Sequence, residues 1–251
     1  MRIVADLHTH SLASTHAYST VDEICAAAAR RGLSAVALTD HAPGMPDSPH
    51  EWHFSSLRRL PQTIHGVRFL SGAEVDVTDL EGTLNLPPRI LSTLDFVIAS
   101  MHAVLFPPRT ADEHTQAWLA MTQSPYVDCL GLMGQPDFPF DIERVVRACR
   151  DSGTLIEINN ASFLIRRGSE KHCRDIAIAC KKHECPVVVT SDAHTAYDVG
   201  DWQQVRAVLS EIDFPEELVI NSSVSRLSEY FLGRKHKEIF PESGRDNAYW
   251  D

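Results

Sequence analysis

Along the chain, short runs rich in β-branched residues alternate with stretches whose apolar positions recur every three or four residues. The runs are RIVAD from Arg2, SAVALTD from Ser34, VRFLSGAEV from Val67 and LDFVIASMH from Leu94, followed by YVDCLGLM from Tyr126, TLIEINN from Thr154 and PVVVTSDAH from Pro186. They are apolar on both faces, the pattern of parallel strands covered by helices. Between them, TVDEICAAAARRG reads as a helix opened by a Thr20–Glu23 capping box and stopped at Gly32. IERVVRACRDSG stops at Gly153 in the same way, and SEKHCRDIAIACKKH and WQQVRAVLSEI are two more helices. Seven strand–helix units without a break in composition predict one closed α/β barrel over residues 1–233. A polar tail, 234–251, is expected to fray, and Gly44 to Pro61 reads as a long Pro- and His-rich loop of the kind that covers active sites.

Composition narrows the function. A net charge of -11 on 251 residues argues against binding nucleic-acid backbones or anionic membranes, both of which reward Lys and Arg clusters. It leaves room for a phosphorylated substrate, because metal ions can supply local positive charge. No apolar run approaches the roughly 20 residues that span a bilayer. The opening MRIVADLH turns polar too soon for a secretory leader. Six scattered cysteines without a Cys-x-x-Cys pair are expected to be reduced core residues of a cytoplasmic protein. The oligomeric state is not legible.

The 13 histidines are the anomaly, and their placement matters more than their number. His8 and His10 follow the first run, and His16 lies in the loop after it. Asp40 and His41 end the second run, Glu74 the third, His102 the fourth, and Asp192 and His194 the seventh. Strand ends taken singly often carry a solvated His or Asp. Here every one falls at a carboxyl end, the face where α/β barrels build their sites. Imidazole and carboxylate donors suit divalent zinc, manganese or iron. A His-x-His pair on extended backbone points to opposite faces. His8 and His10 can therefore share one ion only if the strand has ended and the chain turns.

The motifs DLHTHS, LTDHAP, GAEVD, SMH, EINNASF and SDAHTAYDVG together resemble the PHP (polymerase and histidinol phosphatase) superfamily, in its branch of bacterial phosphatases with three metal ions. The likeness runs from Asp6 to about Phe231 and includes ASTHAYST and HEWHF. It implies a distorted (β/α)7 barrel. It implies that His8, His10, Glu74 and Asp192 hold a first metal and that Glu74 bridges to a second, also held by His102. His16, His41 and His194 would hold a third. Asp6 and Asp40 are either orienting partners of these imidazoles or ordinary strand-end carboxylates.

The sequence departs from the family at one ligand. A histidine is expected in a turn after the fifth strand, and lining up Gly134 and Pro136 puts Leu132 in its place. Leucine cannot coordinate, and Gln135 or Asp137 could offer only oxygen. Two firmly held ions and a third held sub-stoichiometrically are the expectation, with zinc the first candidate. The chemistry implied is hydrolysis of a small phosphate monoester by a metal-activated hydroxide, with His8, His10, Glu74, His102, Asp192 and His194 as its working residues. Arg166, Arg167 and Lys171 could clamp phosphate or be solvated surface, and His50 and His53 could meet substrate or pack within their loop. The alternatives are a nuclease or proofreading module, a dedicated histidinol-phosphate phosphatase, and a non-catalytic metal-binding protein.

Overall fold

The computed structural model describes residues 1–240. Seven parallel strands pair in the order β1 (Ala5–Asp6), β2 (Ala35–Leu38), β4 (Val67–Asp76), β5 (Phe96–Ser100), β6 (Cys129–Leu130), β7 (Leu155–Asn159) and β8 (Val187–Thr190). A two-residue strand, β3 (Thr63–Ile64), pairs antiparallel with the start of β4. The helices are α1 (Val21–Arg30), α2 (Trp52–Ser56), α3 (Pro88–Leu91), α4 (Ala111–Thr122), α5 (Ile142–Ser152), α6 (Ala161–Leu164), α7 (Ser169–His183), α8 (Gln203–Glu211) and α9 (Val224–Lys235). The expected barrel of seven parallel strands is what the chain forms. It is nearly closed rather than fully laddered.

The gap lies between β8 and β1. A single bridge joins Thr9 to Ala193, with His10 N–H donating to the Ala193 carbonyl at 2.8 Å. Lower down, the buried amide of Asn221 fills the seam. Its Nδ2 donates to the carbonyls of Ala5 at 2.8 Å and Val189 at 2.6 Å, and its Oδ1 accepts from Val189 N at 3.1 Å. One side chain thus satisfies backbone groups that a ladder would otherwise pair. The Asn221 carbonyl takes Val4 N–H, which is why β1 begins at Ala5 and not at Arg2.

Alternation along the strands sorts the core into two layers. Ala35, Ala37, Leu70, Phe96, Ile98 and Val188 face the barrel interior, while Val36, Leu38, Val97 and Val189 face the surrounding helices. Leu227 and Phe231 of α9 plug the floor, with the Phe231 ring 6.2 Å from that of Phe96. Residues 234–240 do not fray. Arg234 donates to the carbonyls of Ser152 and Val127, Lys235 pairs with Asp128 at 2.8 Å, and Ile239 is buried. Residues 241–251 of the expected tail lie outside the described residues.

Helix ends follow the local code. The Thr20–Glu23 capping box forms, and Gly32 and Gly153 adopt the left-handed conformation after α1 and α5. The Gly44–Pro61 segment is less irregular than expected. It holds α2 and a following 3-10 turn, tied down by buried Phe54 and Leu57. No helix among the described residues is long and apolar enough to cross a membrane.

Candidate metal centre

At the carboxyl ends of the strands the backbone leaves the ladder and turns. β1 stops at Asp6, and β8 stops at Thr190, with Asp192 at a positive φ of 58°. That release lets both members of the His-x-His pair aim at one point: His8 Nε2 and His10 Nε2 are 3.0 Å apart. Around them, Glu74 Oε2 lies 3.5 Å from His8 Nε2 and 3.7 Å from His10 Nε2. Asp192 Oδ1 lies 3.5 and 3.2 Å from the same two nitrogens. Donors bound at 2.0–2.1 Å around a tetrahedral ion stand about 3.3 Å apart.

Two further groups of donor atoms adjoin this one. His41 Nδ1 approaches Glu74 Oε2 at 2.9 Å, and His102 Nε2 stands 4.0 Å from Glu74 Oε1, so Glu74 lies between the imidazoles of different strands. His41 also groups with His10 and His194, and with His16 and Asp47. The His16 and His194 rings are 4.4 Å apart at the opening, where the His16 side chain is half-exposed. The eight predicted donors therefore meet in one continuous cluster, with His10 rather than His16 completing a group with His41 and His194.

Three imidazoles of the cluster are turned by acids outside the predicted donor set. Glu157 Oε1 lies 2.5 Å from His8 Nδ1, Asp76 Oδ1 lies 2.7 Å from His102 Nδ1, and Asp47 Oδ2 lies 2.7 Å from His16 Nδ1. Such carboxylate–histidine pairs fix the ring so that its other nitrogen faces the centre. Asp76 closes the GAEVD motif two residues after Glu74, and Glu157 opens EINNASF. Asp6 and Asp40 do other work. Asp6 accepts from Ser191 N–H, Ser191 Oγ and Gly200 N–H rather than from an imidazole. Asp40 accepts from Ser11 N, Ser11 Oγ and Ser14 Oγ, and its histidine partner is His53, at 3.0 Å.

The donor set fits divalent cations. In and beside the cluster the buried atoms His10 Nδ1 and Asp76 Oδ2 have no hydrogen-bond partner. Unpaired buried polar atoms are costly, and their presence at a gathering of imidazoles and carboxylates calls for a ligand. Burial opposes charge on Glu74, yet the fields of His41, His8 and His102 hold its carboxyl well below the usual range. Burial opposes charge on Asp192 too, and His8 and His10 still keep it ionised far below the usual range. Burial pushes His10 down to about 4, leaving a neutral imidazole. Glu74 and Asp192 ionised and His10 neutral are the states that bind metal, whereas the neighbouring carboxylates hold His8 and His41 raised, so those imidazoles give up a proton when an ion binds.

The remaining candidates divide. Arg166 reaches the cluster, with Nη2 3.3 Å from Asp192 Oδ2. Arg167 is exposed and makes no ion pair among the described residues, and Lys171 pairs with Asp175 one helical turn on. His50 accepts from Trp52 N–H. Leu132 is buried at a φ of 56°, its N–H donating to Glu157 Oε2 at 2.9 Å. Gln135 spends its amide on the Met101 carbonyl, and Asp137 is exposed, so neither joins the cluster through the contacts they make.

Fold and site together define an α/β-barrel protein with a histidine–carboxylate cluster at its mouth. The PHP domain model matches residues 6–161, and the chain belongs to the PHP family. A probable phosphatase of Acetivibrio thermocellus is 44% identical over 237 residues, covering 94% of this chain and 98% of that protein. A probable phosphatase of Caldanaerobacter subterraneus subsp. tengcongensis is 45% identical over 241 residues, covering 95% and 94%. Among solved structures, histidinol phosphate phosphatase from Lactococcus lactis, complexed with zinc, L-histidinol and phosphate, superposes with a TM-score of 0.60 at 19% identity, over 86% of this chain and 95% of that one. That likeness is one of fold.

Proposed function

We propose that this protein is a phosphatase that hydrolyses small phosphate monoesters with two to three divalent ions, zinc first among the candidates, held at the barrel mouth. The observation that carries the proposal is the spacing of His8, His10, Glu74 and Asp192, whose facing atoms stand 3.0–3.7 Å apart from strands far apart in sequence. The relatives named probable phosphatase support the reaction class.

Bound divalent ions supply Lewis acidity, activating water near neutral pH and neutralising charge on phosphate oxygens. His8, His10 and Asp192 would hold the deepest ion, and Glu74 would offer one oxygen to it, with its other oxygen facing His102. Glu157 and Asp76 keep His8 and His102 in the tautomer that turns Nε2 inward. Arg166 presents a guanidinium at the rim, where it can take phosphate oxygens in competition with Asp192. His53, held by Asp40 and partly exposed, is placed to meet the leaving group. No thiol nucleophile is needed. All six cysteines are free and buried, and burial pushes Cys25 and Cys173 up to about 12.

The acidic chain favours a small ester over a nucleic acid, a partner whose backbone rewards basic grooves. The test is a metal-dependent screen of phosphorylated metabolites, histidinol phosphate and single-stranded DNA included, with elemental analysis of the same sample. His8→Ala and Asp192→Ala should each lower turnover of an aryl phosphate at least a thousandfold while circular dichroism stays unchanged. Full turnover in either folded variant refutes the site, and metal-loaded protein inert toward every ester assigns a non-catalytic role.

A further inference from the structure

Ten large apolar side chains are exposed among the described residues, and three of them, Ile178, Val224 and Leu232, lie on helices α7 and α9, away from the loops that follow the strands. The rest lie on the segments that follow parallel strands, at the same end as the metal cluster. Each is within three positions in sequence of a residue of the site. Leu12 follows His10 and Tyr18 follows His16, while Val104 follows His102 and Tyr197 follows His194. Trp52 precedes His53, the partner of Asp40. Leu164 and Ile165 precede Arg166, which touches Asp192. The aromatic members are the most open, with Tyr18 73%, Trp52 72% and Tyr197 87% exposed.

Scattered surface apolar residues need no explanation, but seven gathered on the segments that follow the parallel strands do. We infer that this rim is the subsite for the organic part of the substrate, and that the preferred substrates are phosphate monoesters of bulky aromatic or apolar alcohols. The inference rests on the phosphatase assignment above. Small-molecule sites pair a few convergent polar groups with apolar and aromatic walls. Here the polar groups are the cluster and Arg166, which suit a phosphate, and the exposed apolar side chains are on the segments that carry those groups, on the side open to a leaving group. A second copy of the chain seated on the same five segments would cover the opening at which His16 and His194 are solvent-accessible. An alcohol with many hydroxyls would find no polar partners on Leu12, Val104 or Ile165.

The experiment compares zinc-loaded wild type with Tyr18→Ser, Trp52→Ser and Tyr197→Ser, singly and combined. Specificity constants are measured for 1-naphthyl phosphate and for glycerol phosphate. Binding of naphthylmethylphosphonate and methylphosphonate is measured by calorimetry. Wild type should prefer the naphthyl ester at least tenfold and bind the naphthyl phosphonate at least tenfold more tightly. The combined variant should lose most of both preferences. Equal handling of both esters, or preferences that survive in the combined variant, overturns the inference and leaves the phosphatase assignment standing. Hydrolysis of neither ester overturns that assignment and the inference with it. An oligomeric wild type that the combined variant makes monomeric, with the ester ratio unmoved, gives the rim to self-association instead.

Discussion

Glu157 Oε1 lies 2.5 Å from His8 Nδ1 with both side chains sealed from solvent, and the same carboxylate accepts from Leu132 N–H at 2.9 Å and Thr190 Oγ1 at 2.7 Å. Gly131 makes room for it, since a Cβ there would stand 3.1 Å from Glu157 Oε2 and 2.5 Å from Ile98 Cγ2. The carboxylate demands a proton on His8 Nδ1 and so leaves the Nε2 lone pair for a cation. Glu157→Gln keeps the shape and removes the charge. Zinc affinity, read by competition with a chromophoric chelator, should fall ten- to a hundredfold. Affinity equal to wild type would show that His8 needs no such partner.

Without metal, protons take the place of cations. Burial pushes His41 down, but the Glu74 charge outweighs it and leaves the imidazole raised to about 9. A raised folded-state value means that the His41–Glu74 pairing stabilises the metal-free protein fully below the ordinary value of about 6.5 and is lost as pH rises through about 9. The metal-free melting temperature should therefore fall between pH 6.5 and 9, and zinc binding at pH 7.5 should release protons. Calorimetry in buffers of different ionisation enthalpy reads that release directly. A binding heat independent of buffer contradicts the protonated His41.

Legibility in the sequence followed physical cause. The strands that ladder on both sides, such as β4 and β7, are buried throughout and carry apolar runs that stood out, as did the eight donors near the strand ends. The acids that orient them did not, because Glu157 and Asp76 differ from any strand-end carboxylate only by what folding brings opposite. Helix α9 escaped notice because only Leu227 and Phe231 of its face are fully buried. Helix α2 escaped because its five residues carry no full period of the helical pattern. Asp40 read equally as a partner of a ligand imidazole and as an ordinary strand-end carboxylate, because nothing in the sequence shows that the loop folds His53 onto it.

Leu132 occupies the place where the resemblance calls for an imidazole, at a left-handed φ of 56° that histidine tolerates better than leucine. Its N–H bond to Glu157 is made by the backbone and survives substitution. Leu132→His should raise the metal content from about two firmly held ions per chain toward three, measured by elemental analysis after dialysis. Three tight equivalents in the wild type, or no gain in the variant, overturns the role assigned to this position.

Asn221 does for the β8–β1 seam what a ladder does elsewhere, through its three side-chain bonds to Ala5 and Val189. Replacing it by Leu leaves the carbonyls of Ala5 and Val189 and the N–H of Val189 buried without those partners. Each orphaned group costs about 1–3 kcal/mol, so the variant should lose about 3 kcal/mol or more in a urea titration at fixed zinc. The seam sits directly below His8, His10 and Asp192, the residues that leave β1 and β8. Loosening it separates the two strands that carry the deepest site. Asn221→Leu should therefore weaken zinc binding although Asn221 touches none of the donors, whereas a comparable loss of stability from Phe231→Leu in the floor should leave zinc affinity within about twofold. Equal effects of the two variants on affinity would mean that the seam holds the barrel together without positioning its metal centre.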